Sequence, residues 1–294
     1  MDKKILFDNF IYDVRKKKFI QTDANIYTDG FISAIKKEFR LKRVHLEENP
    51  TENITRIFAN KTLILEIKDG HIISLYMPKT KRIKNKFLFL NTELKKAVFQ
   101  SAKYFDNHFL GSNEKLSDFQ APNGEFFGDW FMPKNTELET ISLPKAVQFG
   151  NFFLSANEKL TKVIVPEVQK IGFGFLVRNK NLKSINLDKL IKLGGYFMPA
   201  NEELSKIKLL NCEEIHNGFM INNKKLKKIH LNSLIYLGNN FLPSNNKNLS
   251  VFYAPKLSIK YIEKQINPRV KELYLQEIYK ETKKLTNPNI QKTK

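Results

Sequence analysis

From Asp69 onward, apolar and polar positions recur with a period of 22 and without an insertion. Counting each unit from a polar residue at position 0, that residue is Asn91, Asn113, Asn135, Asn157, Asn179, Asn201, Asn223 and Asn245, with Asp69 one step earlier. Position 3 is Ile72, Leu94, Leu116, Leu138, Leu160, Leu182, Leu204 and Leu226. Position 18 is phenylalanine in all eight units, from Phe87 to Phe241. Positions 6 and 8 are apolar, as in Val163 and Val165. A spacing of two predicts a strand with alternate side chains pointing inward. Positions 14 (Ile83 to Leu237) and 19 (Leu88 to Leu242) are apolar too and predict the opposite wall of the core. One such unit cannot bury its own apolar side chains, so the copies must stack, each stabilised by its neighbours.

Between the walls the chain has to turn. Position 15 is Gly128, Gly150, Gly172, Gly194 and Gly238, and position 16 is Asn85, Asn107, Asp129, Asn151, Asn217 and Asn239. These residue types accept positive φ most easily, which predicts the turn there. Proline at position 9 (Pro78, Pro122, Pro144, Pro166) ends the strand where its missing N–H is not needed. The asparagine at position 0 is expected to bond turn backbone with its amide and to stack on its copy in the next coil. Parallel pairing of successive strands at about 4.8 Å makes eight coils a rod roughly 38 Å long.

The pattern NxxLxxIxLPxVxxIGxxFL, clearest as "NEKLTKVIVPEVQKIGFGFL" from Asn157, resembles the BspA-like class of bacterial leucine-rich repeats over residues 69 to 254. That resemblance implies an α/β or mainly β solenoid of leucine-rich-repeat type, a right-handed coil with a parallel concave β-sheet, capped at both ends. It also implies adhesion or host-protein binding at a cell surface. The expected organisation is an N-terminal cap of helix plus strand over 1–68, eight coils over 69–246, and a partial coil, capping helix and frayed basic tail over 247–294. In the cap, "TDGFISAIKKEFRLKR" starts a helix at Thr28 or Asp29, with Phe31, Ile32, Ile35 and Phe39 on one face. "KTLILEIKDGHIISLYMP" predicts a hairpin turning at Asp69-Gly70. Near the other end Val270, Leu273, Ile278 and Leu285 lie among charges, the mark of an amphipathic helix.

Composition narrows the function classes. With 41% apolar residues among 294 the chain holds a large core. It shows neither a signal peptide nor a bilayer-length apolar run, so the expectation from residues alone is a cytoplasmic protein without a membrane span. The formal charge of +20 attracts polyanions, although only seven of the 50 basic residues are arginine, the better partner for phosphate. A nucleic acid or another anionic surface is therefore the alternative partner. One cysteine, Cys212, rules out an internal disulfide, and its apolar column makes it a small buried hydrophobe. His71, His108, His216 and His230 occupy four different columns, and His45 lies outside them, which gives no metal-ligand set. No phosphate loop or nucleophile elbow is present, so no catalysis, cofactor or metal is expected.

Binding is the remaining class. Positions 5 and 7 point outward from the strand and carry Lys162, Lys206, Lys208, Lys228 and His230, with Lys183 and Lys227 one position away. They form either a basic patch for an acidic protein or peptide, or a solvated face in a lysine-rich chain. Position 17 stacks His108, Trp130 and Phe152, with Tyr196 further on. That column either anchors a partner or packs between coils. The expected function is a non-catalytic protein-binding scaffold.

Overall fold

A computed structural model describes residues 4–7, 10–13, 18–21, 29–39, 44–88, 91–242, 248–263 and 268–286. From residue 69 to the strand Val251–Tyr253 the described chain winds into a parallel β-solenoid of about eight turns with about 22 residues per turn. Equivalent residues of consecutive coils face each other directly, as in Lys96↔Asp118, Thr140↔Lys162 and Lys206↔Lys228. The strands at positions 5 to 7 form the first face in three groups, one from Val44–Asn49 to Asp118–Gln120, one from Thr140–Ser142 to Ser184–Ile185, and one from Lys206–Leu209 to Val251–Tyr253.

A second parallel sheet runs along the opposite wall, which the sequence presents only as apolar columns. Its two-residue strands extend from Arg82–Ile83 to Lys192–Leu193, six in all, and resume with Glu214–Ile215 and Tyr236–Leu237. The inward residues are the position-14 series, and the outward ones include Arg82, Tyr104, Lys170 and Tyr236. Inside, the position-18 phenylalanines make a buried spine, with ring centroids 4.9 Å apart at Phe109–Phe131, 5.1 Å at Phe131–Phe153 and 5.4 Å at Phe197–Phe219.

The asparagine column is an internal ladder. Asn113, Asn135, Asn157, Asn179, Asn201 and Asn223 are fully buried. Asn157 Nδ2 donates to the Met132 carbonyl at 3.1 Å, and its Oδ1 accepts from the backbone N–H of Asn135 at 2.7 Å. Its own N–H donates to Asn179 Oδ1 at 3.0 Å. Each such carboxamide satisfies buried backbone groups of neighbouring coils, whose desolvation otherwise costs about 1–3 kcal/mol apiece.

The turn differs from the expectation at positions 15 and 16. Positive φ falls instead at positions 17, 19 and 21, for example Trp130 (56°), Met132 (48°) and Lys134 (57°). The N–H groups of these left-handed residues point by turns to opposite neighbours. Trp130 N–H donates to Asn151 O in the next coil, Met132 N–H to Phe109 O in the previous one, and Lys134 N–H to Ser155 O in the next. Left-handed geometry costs an L-residue roughly 1–2 kcal/mol, and the bonds between coils offset it. The position-15 glycines answer a steric demand. A Cβ on Gly172 would stand 2.6 Å from the carbonyl carbon of Gly150. At position 16 the side chain bonds along the rod, as where Asp129 N–H donates to Asn107 Oδ1 at 2.8 Å.

Both ends are covered. The strand pairs Val44–Asn49 with Ile54–Ala59 and Thr62–Lys68 with His71–Tyr76 are antiparallel and feed the first sheet, and the second pair turns at Asp69 and Gly70 (φ 50° and 81°). Helix Asp29–Phe39 buries Phe31, Ala34 and Ile35, with Phe31 edge-on to Phe87 at 5.7 Å. Its Glu38 carboxylate accepts from the N–H of Lys79 (3.0 Å) and the N–H and hydroxyl of Thr80 (both 2.7 Å), which pins the helix to the first coil. Helix Pro268–Thr286 packs on Val251–Tyr253 through buried Val270 and Leu273, and Tyr274 Oη donates to the Leu257 carbonyl. Thr28, Asn245, the side chains of Ile32, Phe39, Ile278 and Leu285, and residues 287–294 lie outside the described residues.

Candidate functional site

Register assembles the basic group on the first face. Lys206 stands opposite Lys228, and Lys208 opposite His230, on strands Lys206–Leu209 and Lys228–Leu231. Lys183 and Lys227, at position 4, are exposed beside them. Lys162 is separated from this group, because the strand Ser184–Ile185 lies between it and Lys206. None of these six lysines has an ion-pair partner among the described residues. Elsewhere on the rod, lysines pair with the glutamate at the same position one coil back: Lys115 with Glu93 (2.7 Å), Lys159 with Glu137 (2.7 Å), Lys189 with Glu167 (2.6 Å) and Lys225 with Glu203 (2.6 Å). On the same face but nearer the N-terminus, Lys96 is neutralised by Asp118 at 2.7 Å.

His230 reports on this charge. Partial burial, and then the ammonium groups of Lys206, Lys208 and Lys228, hold its pKa below the ordinary imidazole value, while Glu277 on the C-terminal helix pulls the other way. Tyr253 stands opposite His230 on the next strand, with ring centroids 6.0 Å apart.

The aromatic column assembles as its spacing predicts and continues further. Trp130 and Phe152 stack at 4.3 Å, and His108 lies parallel to Trp130 at 6.4 Å. Gly174 leaves a gap in the column that Phe173, from position 16, spans, meeting Phe152 at 5.5 Å and Tyr196 at 5.0 Å. The ridge both packs between coils and meets solvent, with Trp130 39% and Tyr196 46% exposed. His108, Trp130 and Phe152 turn their faces to one another, while Phe173 stands edge-on to Phe152.

On the second face, a depression lined by Arg82, Tyr104, Asp106, Asn107, Phe126 and Gln148 lies outside every residue singled out from the sequence as a partner site. Arg82 pairs with Asp106 at 3.0 Å and lies over the Tyr104 ring at 5.7 Å, while Tyr104 stacks on Phe126 at 5.2 Å. Strand periodicity does not show this group, since each second-sheet strand contributes a single outward residue.

Cys212 is buried and its Sγ donates to the Glu214 carbonyl at 3.2 Å. Burial pushes the thiol up to about 11, so it stays protonated at neutral pH and is no nucleophile there. The histidines stay apart in the fold, His45 stacking on Phe58 at 4.7 Å and His216 lying 6.2 Å from Tyr236. Among the described residues no group of three or more histidine, cysteine, aspartate or glutamate side chains could hold a metal ion, and no helix is long and apolar enough to cross a membrane. Compared with protein-family models, curated proteins and solved structures, the chain gives no match.

Proposed function

We propose that the protein is a non-catalytic binding scaffold whose first face, centred on Lys206, Lys208, Lys228 and His230, receives an acidic segment of a protein or peptide. The observation that carries this reading is Lys206 standing in register with Lys228, with Lys208 on the same strand and no ion-pair partner for any of the three among the described residues. Like charges directly opposite on neighbouring strands are destabilising, and elsewhere this chain pairs Lys115, Lys159, Lys189 and Lys225 with glutamate, although Lys170 and Lys192 on the second sheet also face each other. A partner bearing carboxylates removes the repulsion on binding, so part of the folding cost returns as affinity. By the resemblance to BspA-like repeats, a host protein is one candidate source of such a segment.

The test is a titration with a fluorescent oligoglutamate peptide against the native protein and the K206E/K208E/K228E variant. Binding by the native protein and its loss in the variant support the reading. Equal binding by both overturns it. A duplex DNA probe run alongside separates polyanion binding, which would show sequence indifference and a steep fall of affinity with salt.

A further inference from the structure

One junction in the rod is open. Between the coil 179–200 and the coil 201–222 the first sheet stops, since Ser184–Ile185 does not pair with Lys206–Leu209. The second sheet stops at the same place, between Lys192–Leu193 and Glu214–Ile215. The buried ladder breaks there as well. Asn201 Oδ1 has no hydrogen-bond partner, as is also true of Asn113 Oδ1 near the start of the ladder, whereas Asn135, Asn157 and Asn179 each take the N–H of the preceding asparagine. Ile185 is half-buried, although Ile141, Val163, Ile207 and Ile229 in the same column are buried. The first sheet also pauses between Asp118–Gln120 and Thr140–Ser142, but there the second sheet and the asparagine ladder continue.

The turn side of the open junction stays closed. Tyr196 N–H donates to Asn217 O (2.8 Å), Met220 N–H to Phe197 O (2.9 Å) and Ala200 N–H to Ile221 O (2.7 Å). Phe197 and Phe219 remain stacked. Two tethers remain outside the turn, Glu203 N–H to Lys180 O (3.1 Å) and Asn211 Nδ2 to Asp188 O (2.6 Å). A junction bonded along one edge and open on two faces has the construction of a hinge.

The sequence departs from its own repeat at two positions here. His216 occupies the position that is glycine in the coils before and after it. A Cβ on Gly194 would lie 2.6 Å from the Gly172 carbonyl carbon, and one on Gly238 would lie 2.8 Å from Asn217 Oδ1. Asp106 fits at this position with its N–H still bonded to Ile83 O (2.8 Å), whereas the larger His216 side chain coincides with the unpaired strand. Gly195 coincides with it and lacks the carboxamide with which Asn151 takes the Phe173 N–H and Asn217 takes the Asn239 N–H; Phe173 lacks it as well, and there Gly194 N–H still bonds Ile171 O (2.8 Å).

On the first face the opening is a depression of about 410 Å³. Lys183 and Ser184 line one lip, Ser205, Lys206 and Lys208 the other, and Asp188 contributes a single carboxylate. We propose that this junction is a hinge and, resting on the acidic-partner reading above, that the partner grips it by bridging Lys183 on one lip and Lys206 and Lys208 on the other. Mutual repulsion of the three ammonium groups favours the open form when the face is empty. Carboxylates placed between the lips reverse that sign and draw them together.

Residue-resolved amide hydrogen exchange tests both parts. Ser205, Lys206, Glu213, Glu214 and His216 are compared with Lys227, Lys228, Ile235, Tyr236 and Gly238, the same positions one coil on, whose N–H groups bond to Ser205, Glu213 and Ile215 carbonyls. Exchange at the junction is expected to be faster by about tenfold or more, as for locally opening elements. Oligoglutamate is expected to slow it. In H216G the amides of Glu213, Glu214 and residue 216 should be slow without peptide. Equal rates at the two sets in the free protein overturn the hinge, and fast exchange persisting in H216G overturns its link to His216. Peptide that binds without slowing the junction overturns the grip and leaves the basic-face reading standing. Failure of the peptide to bind at low salt overturns that reading and the grip with it, while the free-protein rates still decide the hinge.

Discussion

Replacing Asn157 by alanine isolates the asparagine ladder. The side chain donates to the Met132 carbonyl at 3.1 Å and weakly to Ser155 O at 3.5 Å, and it accepts from the Asn135 N–H at 2.7 Å. Alanine leaves the Met132 carbonyl and the Asn135 N–H buried without these partners. At about 1–3 kcal/mol for each orphaned group, the loss is roughly 2–6 kcal/mol. Asn201 is the internal control. Its Nδ2 bonds, to Leu176 O (2.9 Å) and Pro199 O (3.2 Å), match those of Asn157, but its Oδ1 has no partner. Asn201→Ala therefore orphans one group fewer and should cost about 1–3 kcal/mol less than Asn157→Ala. Both changes delete the same atoms at the same position of a buried coil, so cavity and propensity contributions largely cancel. The assay is urea unfolding of both variants and the native protein, compared at constant m-value. Equal destabilisation by the two substitutions, or a cost below about 1 kcal/mol for Asn157→Ala, would refute the ladder as described.

Two further outcomes follow from the surface groups. Trp130, half-stacked and 39% exposed, should emit at a wavelength between those of buried and free indole and be quenched by acrylamide, whereas a fully blue-shifted, unquenched band would mean the ridge does not reach solvent. His230 should titrate below 6.5 by NMR. Because the unfolded chain then binds more protons than the fold near that pH, this group makes stability fall as pH drops through the imidazole range. A midpoint not depressed from the ordinary imidazole value in the free protein would contradict the partial burial and the lysine charge placed around it.

Much of the fold was legible because the solenoid converts sequence distance into spatial adjacency. Phe153 and Phe175 touch in space because they hold the same position in consecutive coils, and the same arithmetic brings Lys206 to Lys228 and Lys208 to His230. The Asp69-Gly70 hairpin and the burial of Cys212 follow from local turn chemistry and column composition. The second sheet was not legible, since a strand of two residues with one inward side chain looks the same as any apolar wall. Nor was the left-handed alternation, because Trp130, Met132 and Phe152 carry none of the glycine or asparagine signal usually attached to positive φ. At the site, Lys162 shared a column with Lys206 but not its neighbourhood, because the strand Ser184–Ile185 lies between them. His216 and Gly195 were visible as departures from their columns. Whether such a departure accompanies an open junction depends on how closely backbones approach, a distance that composition does not encode.

The stacking itself underlies every assignment of inward and outward side chains. Aromatic-ring nuclear Overhauser contacts in a phenylalanine-labelled sample test it most directly. Cross-peaks are predicted from each spine ring to the spine rings of the coils before and after it, Phe131 to Phe109 and Phe153, and Phe197 to Phe175 and Phe219. Spine rings without those contacts, or contacts at another spacing, would contradict the stacking.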